Sequence, residues 1–198
     1  ETLKRLGRWD RSAVIVWADH GQLLGERDTV GHAFTLDEEL IHVPLLVKPP
    51  RSVPLGPGAY PELFQNDDLF LLCQTLGGLH TPEAAGLLSD LQAGRPVRSH
   101  AFAKIHHDPL PELIVARRWR SATLWAVRDT RSKLVRDLEG RTYLYDLTGP
   151  ESERLVSTAH APALVNALDW FIRSSSRAAS KRTLGILAAE GIEPVRSV

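Results

Sequence analysis

Methionine is absent from the 198 residues, cysteine occurs once, and neither sign of charge prevails. A single cysteine excludes an intrachain disulfide framework without fixing the compartment. Lys plus Arg and Asp plus Glu both number 24, so the net charge is +0 with histidine neutral. That balance gives no electrostatic hold on nucleic acid or on an anionic membrane, and neither is expected as a partner. No apolar stretch approaches the roughly 20 residues of a transmembrane helix. No secretory leader is visible, and the expectation is a soluble protein, with cytoplasm and periplasm both open. Internal repeats and low-complexity tracts are missing too. What is present is 43% apolar residues, the ordinary content of a globular chain.

The most informative stretch is the apolar run Ala13-Val14-Ile15-Val16-Trp17-Ala18 leading directly into Asp19-His20-Gly21. A run this short and β-branched reads as a strand buried on both faces. A carboxylate and an imidazole then stand side by side at the strand's carboxyl end, where open α/β sheets place their ligand sites. Together they can hold a metal ion. Taken alone the tripeptide is a weak signal, because an Asp capping a turn looks the same.

The rest of the chain divides near Pro96. Before it, the sequence predicts a short helix stopped by Gly7, a long loop over 21–37, a second core strand over 41–47 and a helix over 63–76 closed by Gly77-Gly78. After it, strand candidates at 99–105, 122–128, 133–137 and 142–146 are separated by polar turns. Strands so close together predict an antiparallel meander. A helix over 162–174 presents Leu164, Leu168, Phe171 and Ile172 on one face, with Ser174-Ser175-Ser176 expected to break it before a short amphipathic segment over 181–190. The expected domains are residues 1–96, part of an α/β catalytic core, and residues 97–198, a small C-terminal domain with a four-stranded antiparallel sheet and a helix.

From Asp19 to Val47 the chain reads DHGQLLGERDTVGHAFTLDEELIHVPLLV. This resembles the sulfatase branch of the alkaline-phosphatase superfamily, where Asp-His-Gly or Asp-Asn-Gly precedes a Gly-Glu-His-Gly segment and an Arg-Val-Pro-Leu strand. Gly25-Glu26, Gly31-His32, Glu38-Glu39 and Val43-Pro44-Leu45 fall in matching order and spacing. Asp68-Leu69-Phe70 with Leu76-Gly77-Gly78 resembles a family helix, and Gly86-Leu87-Leu88 with Gly94 fits the loop after it. Ala126-Val127-Arg128, Lys133-Leu134-Val135 and Leu144-Tyr145-Asp146-Leu147 are similar to the family's late hairpin. The resemblance runs to about Trp170. It implies an α/β fold: the C-terminal part of an alkaline-phosphatase-like, mainly parallel core sheet, followed by a small antiparallel sheet with a packing helix.

The family's nucleophile motif, Cys-x-Pro-x-Arg or Ser-x-Pro-x-Arg, does not occur, nor does its N-terminal Asp pair. The expectation is therefore the C-terminal portion of a metal-dependent sulfatase, inert alone, with the remainder of the parent chain as its partner. The resemblance implies that Asp19 and His20 are metal ligands and that the substrate is a small sulfate ester. A phosphonate monoester or phosphodiester hydrolase on the same scaffold, or a non-catalytic binding module, are the alternatives. Family precedent favours calcium as the divalent metal; a histidine nitrogen also admits manganese or zinc. His32 stands where the family often has an anion-gripping lysine, and a protonated imidazole can likewise donate to the anion. Its other reading is a solvated loop histidine. Arg27 replaces the family's histidine and is read as meeting substrate or solvent.

Glu38, Glu39 and His42 are read as solvated or structural. Lys104, Arg128 and Lys133 read as polar positions of the meander, Cys73 as a buried small hydrophobe. His106-His107-Asp108 is read as surface loop or cleft edge, because neighbouring strand residues point to opposite faces.

Overall fold

The computed structural model describes residues 1–32, 34–60, 63–79, 81–106, 123–149, 154–157 and 161–189, with described side chains in the last helix as far as Ser176. Helix α1 (Thr2–Arg5) and a 3-10 turn (Trp9–Arg11) lead into strand β1 (Val14–Trp17). Next come the short strands β2 (Leu23–Leu24) and β3 (Val30–Gly31), the helical turn α2 (Glu38–Ile41), strand β4 (Leu45–Lys48), and helices α3 (Asp68–Leu76) and α4 (Pro82–Ala93). The second half holds β5 (Ala101–His106), β6 (Thr123–Arg128), β7 (Ser132–Asp137), β8 (Thr142–Asp146), β9 (Arg154–Val156) and the long helix α5 (Pro162–Ala189).

The meander forms as the spacing predicts, and it gains a fifth strand, with order β5-β6-β7-β8-β9 and every pair antiparallel. Its turns are specified locally. Asp129 Oδ1 accepts from the backbone N–H groups of Arg131 (2.8 Å) and Ser132 (2.7 Å) between β6 and β7. Gly140, at φ 84, supplies the left-handed residue between β7 and β8. Alternation then sorts the side chains. Val127, Leu134 and Leu144 face Leu164 and Leu168 of α5, whereas Leu124, Ala126, Val135 and Tyr145 pack on Leu36 and Ile41. One face of the sheet is thus covered by a helix and the other by the segment that follows the expected site.

Several expectations are corrected. β1 pairs with β4, and the pair is antiparallel (Val16↔Leu46), not parallel. It is not buried on both faces: Ile15, Leu45 and Val47 pack on Leu72, Leu76 and Leu87 of α3 and α4, but Val16 is 57% and Leu46 60% exposed. A hydrophobic run reports what a strand could bury, and here only one face is covered. The predicted strand over 41–47 shortens to β4, because Glu38 and Glu39 enter the first turn of α2, where acidic residues suit the helix dipole. Gly86 lies inside α4, not in a loop. The Thr81 hydroxyl caps the helix start by accepting from Ala84 N (3.1 Å), Pro82 follows at its first position, and Gly94 ends it at φ 61. The serine triplet does not break α5, since Ser175 and Ser176 donate back to the Ile172 carbonyl at 3.0 and 2.9 Å. Cys73 is exposed, because α3 turns Leu72, Thr75 and Leu76 inward. Among the described residues, no helix is long and apolar enough to cross a membrane.

Candidate functional site

The chain leaves β1 in a turn whose backbone is held from two sides. Gly21 N donates to Leu40 O of α2 at 2.8 Å, and the Asn66 side-chain amide donates to Asp19 O at 2.9 Å. Only glycine fits at position 21, since a Cβ there would stand 1.9 Å from the Glu39 carbonyl oxygen. The close approach of two backbones is what this glycine permits.

Asp19 is 86% exposed at its side chain; one oxygen accepts from its neighbour's N–H (His20 N, 2.9 Å), and the other stands 3.9 Å from His20 Nε2. His20 Nδ1 donates to the Gly21 carbonyl at 2.8 Å. A ring fixed in that way turns the Nε2 lone pair outward in the neutral form, the arrangement in which an imidazole ligates metals. The two side chains therefore converge at the carboxyl end of β1. Donors 3.9 Å apart both lie within reach of one cation bound at about 2.3–2.6 Å. Among the described residues, no group of three or more His, Cys, Asp or Glu side chains is placed to hold a metal ion. Asp19 and His20 thus suit a shared cation as two of its ligands, not as a complete set.

His32 arrives from the end of β3, and the short β2–β3 hairpin inside the predicted long loop carries it there. Its ring stacks on His20 with centroids 4.4 Å apart, and its Nδ1 donates to Gln22 Oε1 at 2.8 Å. Asp19, His20 and His32 are brought together. Gln22 and Asn66 complete the surroundings and escape a reading of the sequence, as does Gln65 next to Asn66, which bonds away from the site. Gln65 exchanges bonds with Phe102 of β5 and accepts from Arg98 Nη1 at 2.7 Å, while Arg98 Nε donates to Asp68 at 2.8 Å. Burial works against the Arg98 charge, but Asp68 and Asp67 outweigh it and raise its pKa. The polar run Gln65-Asn66-Asp67-Asp68, which leads into α3, is the one signal that could have drawn attention to these residues.

The remaining candidates lie elsewhere or act structurally. Arg27, in a left-handed conformation at φ 53, pairs with Glu39 at 2.8 Å and stands 4.0 Å from Asp37. Glu38 is buried against Arg128, with Lys133 Nζ 3.3 Å away and the more exposed His42 at 3.8 Å. The reading of Arg128 and Lys133 as polar meander positions is corrected: Lys133 is fully buried and donates to Leu36 O at 2.7 Å. Both project from the sheet face covered by residues 36–41, so their charges meet Glu38 instead of water. Lys104 lies 5.9 Å from the Trp125 ring. His106 bonds Thr123 Oγ1 at 2.7 Å, while His107 and Asp108 fall outside the described residues.

No family model matches the chain, and no curated protein matches it in sequence. In fold the chain is similar to the phosphonate monoester hydrolase of Silicibacter pomeroyi (TM-score 0.61, 24% identity, 89% of this chain and 37% of that one). It is equally similar to the phosphonate monoester hydrolase of Agrobacterium radiobacter (TM-score 0.61, 25% identity, 89% and 37%). A 2-O GAG sulfatase matches with a TM-score of 0.60 at 20% identity, over 90% of this chain and 39% of that one. The chain spans a little over a third of the length of these structures. Its fold is thus similar to part of the fold of phosphonate monoester hydrolases and sulfatases.

Proposed function

We propose that these residues form part of the active site of a metal-dependent sulfatase, acting on a small sulfate ester. The observation that carries this reading is the convergence of the Asp19 carboxylate, His20 Nε2 and the His32 ring at one exposed turn. Asp19 and His20 would hold a divalent cation, calcium by preference and manganese as the second choice. When bound, the metal supplies positive charge to the oxygens of the anionic ester. Asp19 brings the negative charge that attracts the cation, and the Gly21 carbonyl keeps the His20 ring turned for ligation. Because His32 Nδ1 already donates to Gln22, His32 presents an N–H at Nε2 only as the imidazolium. In that form it would donate to an ester oxygen on which charge builds.

The attacking group would lie in the remainder of the parent chain, since no Cys-x-Pro-x-Arg or Ser-x-Pro-x-Arg occurs among the 198 residues. The exposed Val16 and Leu46 suit a further element packing on β1 and β4, and the third of a hydrolase spanned here should be inert alone. A second reading, phosphonate monoester hydrolysis, is favoured by the two phosphonate hydrolases at 24% and 25% identity.

The test is turnover of an aryl sulfate and of a phenyl phosphonate monoester by the full-length protein. The sulfatase reading expects the sulfate to be the better substrate by kcat/KM. It also expects His32→Ala to lose about a hundredfold in rate, while His32→Lys, which keeps a cationic donor, retains most of it. Preference for the phosphonate would select the second reading. Hydrolysis of neither ester by the metal-loaded protein would point to a binding module, and a His32→Ala variant as fast as wild type would return His32 to the solvated loop.

A further inference from the structure

Two basic side chains from the five-stranded sheet converge on one carboxylate of α2. Lys133 of β7 and Arg128 of β6 are cross-strand partners, and both reach Glu38 of α2. Lys133 Nζ also donates to Leu36 O at 2.7 Å and lies 5.6 Å from the Tyr145 ring centroid. Burying such a cluster is not the cheapest way to fasten a loop to a sheet, because apolar residues of similar volume commonly do as well or better. Charge-assisted bonds offer direction instead, setting α2 at one place on the sheet.

That place is transmitted to the site. Two residues beyond Glu38, the Leu40 carbonyl accepts the Gly21 N–H at 2.8 Å, and the Glu39 carbonyl lies so close to Gly21 that no side chain fits between. The Asp19–His20 turn therefore cannot move along α2 without breaking that bond or colliding with it. We infer that Lys133 and Arg128 are positioning residues for the Asp19–His20 turn, acting through Glu38 and α2. The second tether, from Asn66 to Asp19 O, comes from the α3 side, so the turn is held from two directions. The importance of that placement rests on Asp19 and His20 forming a site.

Hydrogen exchange followed by mass spectrometry in the full-length protein tests the inference without metal or ester. A negative outcome would therefore leave the metal reading standing, and loss of the metal reading would leave the tether standing. Lys133→Met, which keeps the aliphatic stem, should speed exchange of the peptide containing Gly21 by about tenfold, while exchange in β6 and β8 changes less than about twofold. Glu38→Asp keeps every charge but shortens the tether, and should give the same pattern at reduced size. If Lys133→Met does not fold, Glu38→Asp decides. Equal acceleration throughout the sheet, or unchanged exchange at Gly21 in the variant that folds, would overturn the inference.

Discussion

Replacing Gly21 by alanine puts a methyl group where the backbone of α2 already lies. Its carbon would stand 1.9 Å from Glu39 O, 2.9 Å from Glu39 C and 3.2 Å from Leu40 Cα. All three are main-chain atoms, so no rotamer change relieves the contact. The turn must retreat by more than an ångström, and the 2.8 Å bond from Gly21 N to Leu40 O cannot survive that retreat. Overpacking of this kind costs about 1–3 kcal/mol, and the lost hydrogen bond about 1 more. The sum is about 2–4 kcal/mol, which for a chain of this size lowers Tm by roughly 4–16 °C. Gly86→Ala is the control. Gly86 lies inside α4 with nothing within 4 Å of the new methyl, so alanine should stabilise the helix by up to about 1 kcal/mol. Thermal and chemical denaturation of both variants, beside wild type, give the comparison. A Gly21→Ala protein melting within about 1 °C of wild type would refute the close backbone approach on which the site's placement depends.

The Asp146 carboxyl is held down to about 2 by the Thr148 hydroxyl and N–H and by Arg154, against an ordinary 3.8. Its contribution to stability is therefore complete above about pH 4 and is lost as pH falls towards 2; Asp146→Asn should flatten that part of an acid titration of stability. Leu168, wholly buried between α5 and the sheet, should cost about 2–5 kcal/mol on truncation to alanine, whereas Trp170→Ala, 59% exposed two residues further along the helix, should cost far less; urea midpoints separate them. Cys73 should be labelled by a maleimide in the native protein without denaturant, and protection until the protein is unfolded would contradict its exposure.

Much of the second half is legible because its signals are local. Asp129 and Gly140 specify turns, and period-two alternation between them specifies strands. The Asp19–His20 turn is legible for the same reason, as an apolar run meeting an acidic residue and an imidazole. What escapes a reading of the chain is tertiary. Lys133 looks like a surface lysine until Leu36, 97 positions earlier, is folded over it. Gln22 and Asn66 carry no motif, and their roles exist only once β1, the β2–β3 hairpin and α3 meet. The run Val14–Trp17 states how apolar β1 is and nothing about what covers Val16. Cys73 reads as buried because its helical neighbours are apolar, but the phase of α3 turns Leu72, Thr75 and Leu76 inward and leaves it outside.

The central claim, that Asp19 and His20 are ligands of a divalent cation, is tested most directly by calcium titration calorimetry on the full-length protein. Asp19→Asn keeps the shape of the side chain and removes its charge, and should weaken calcium binding by about a hundredfold or more, while the melting temperature in chelator stays close to wild type. Calcium binding as tight in Asp19→Asn as in wild type would contradict the account.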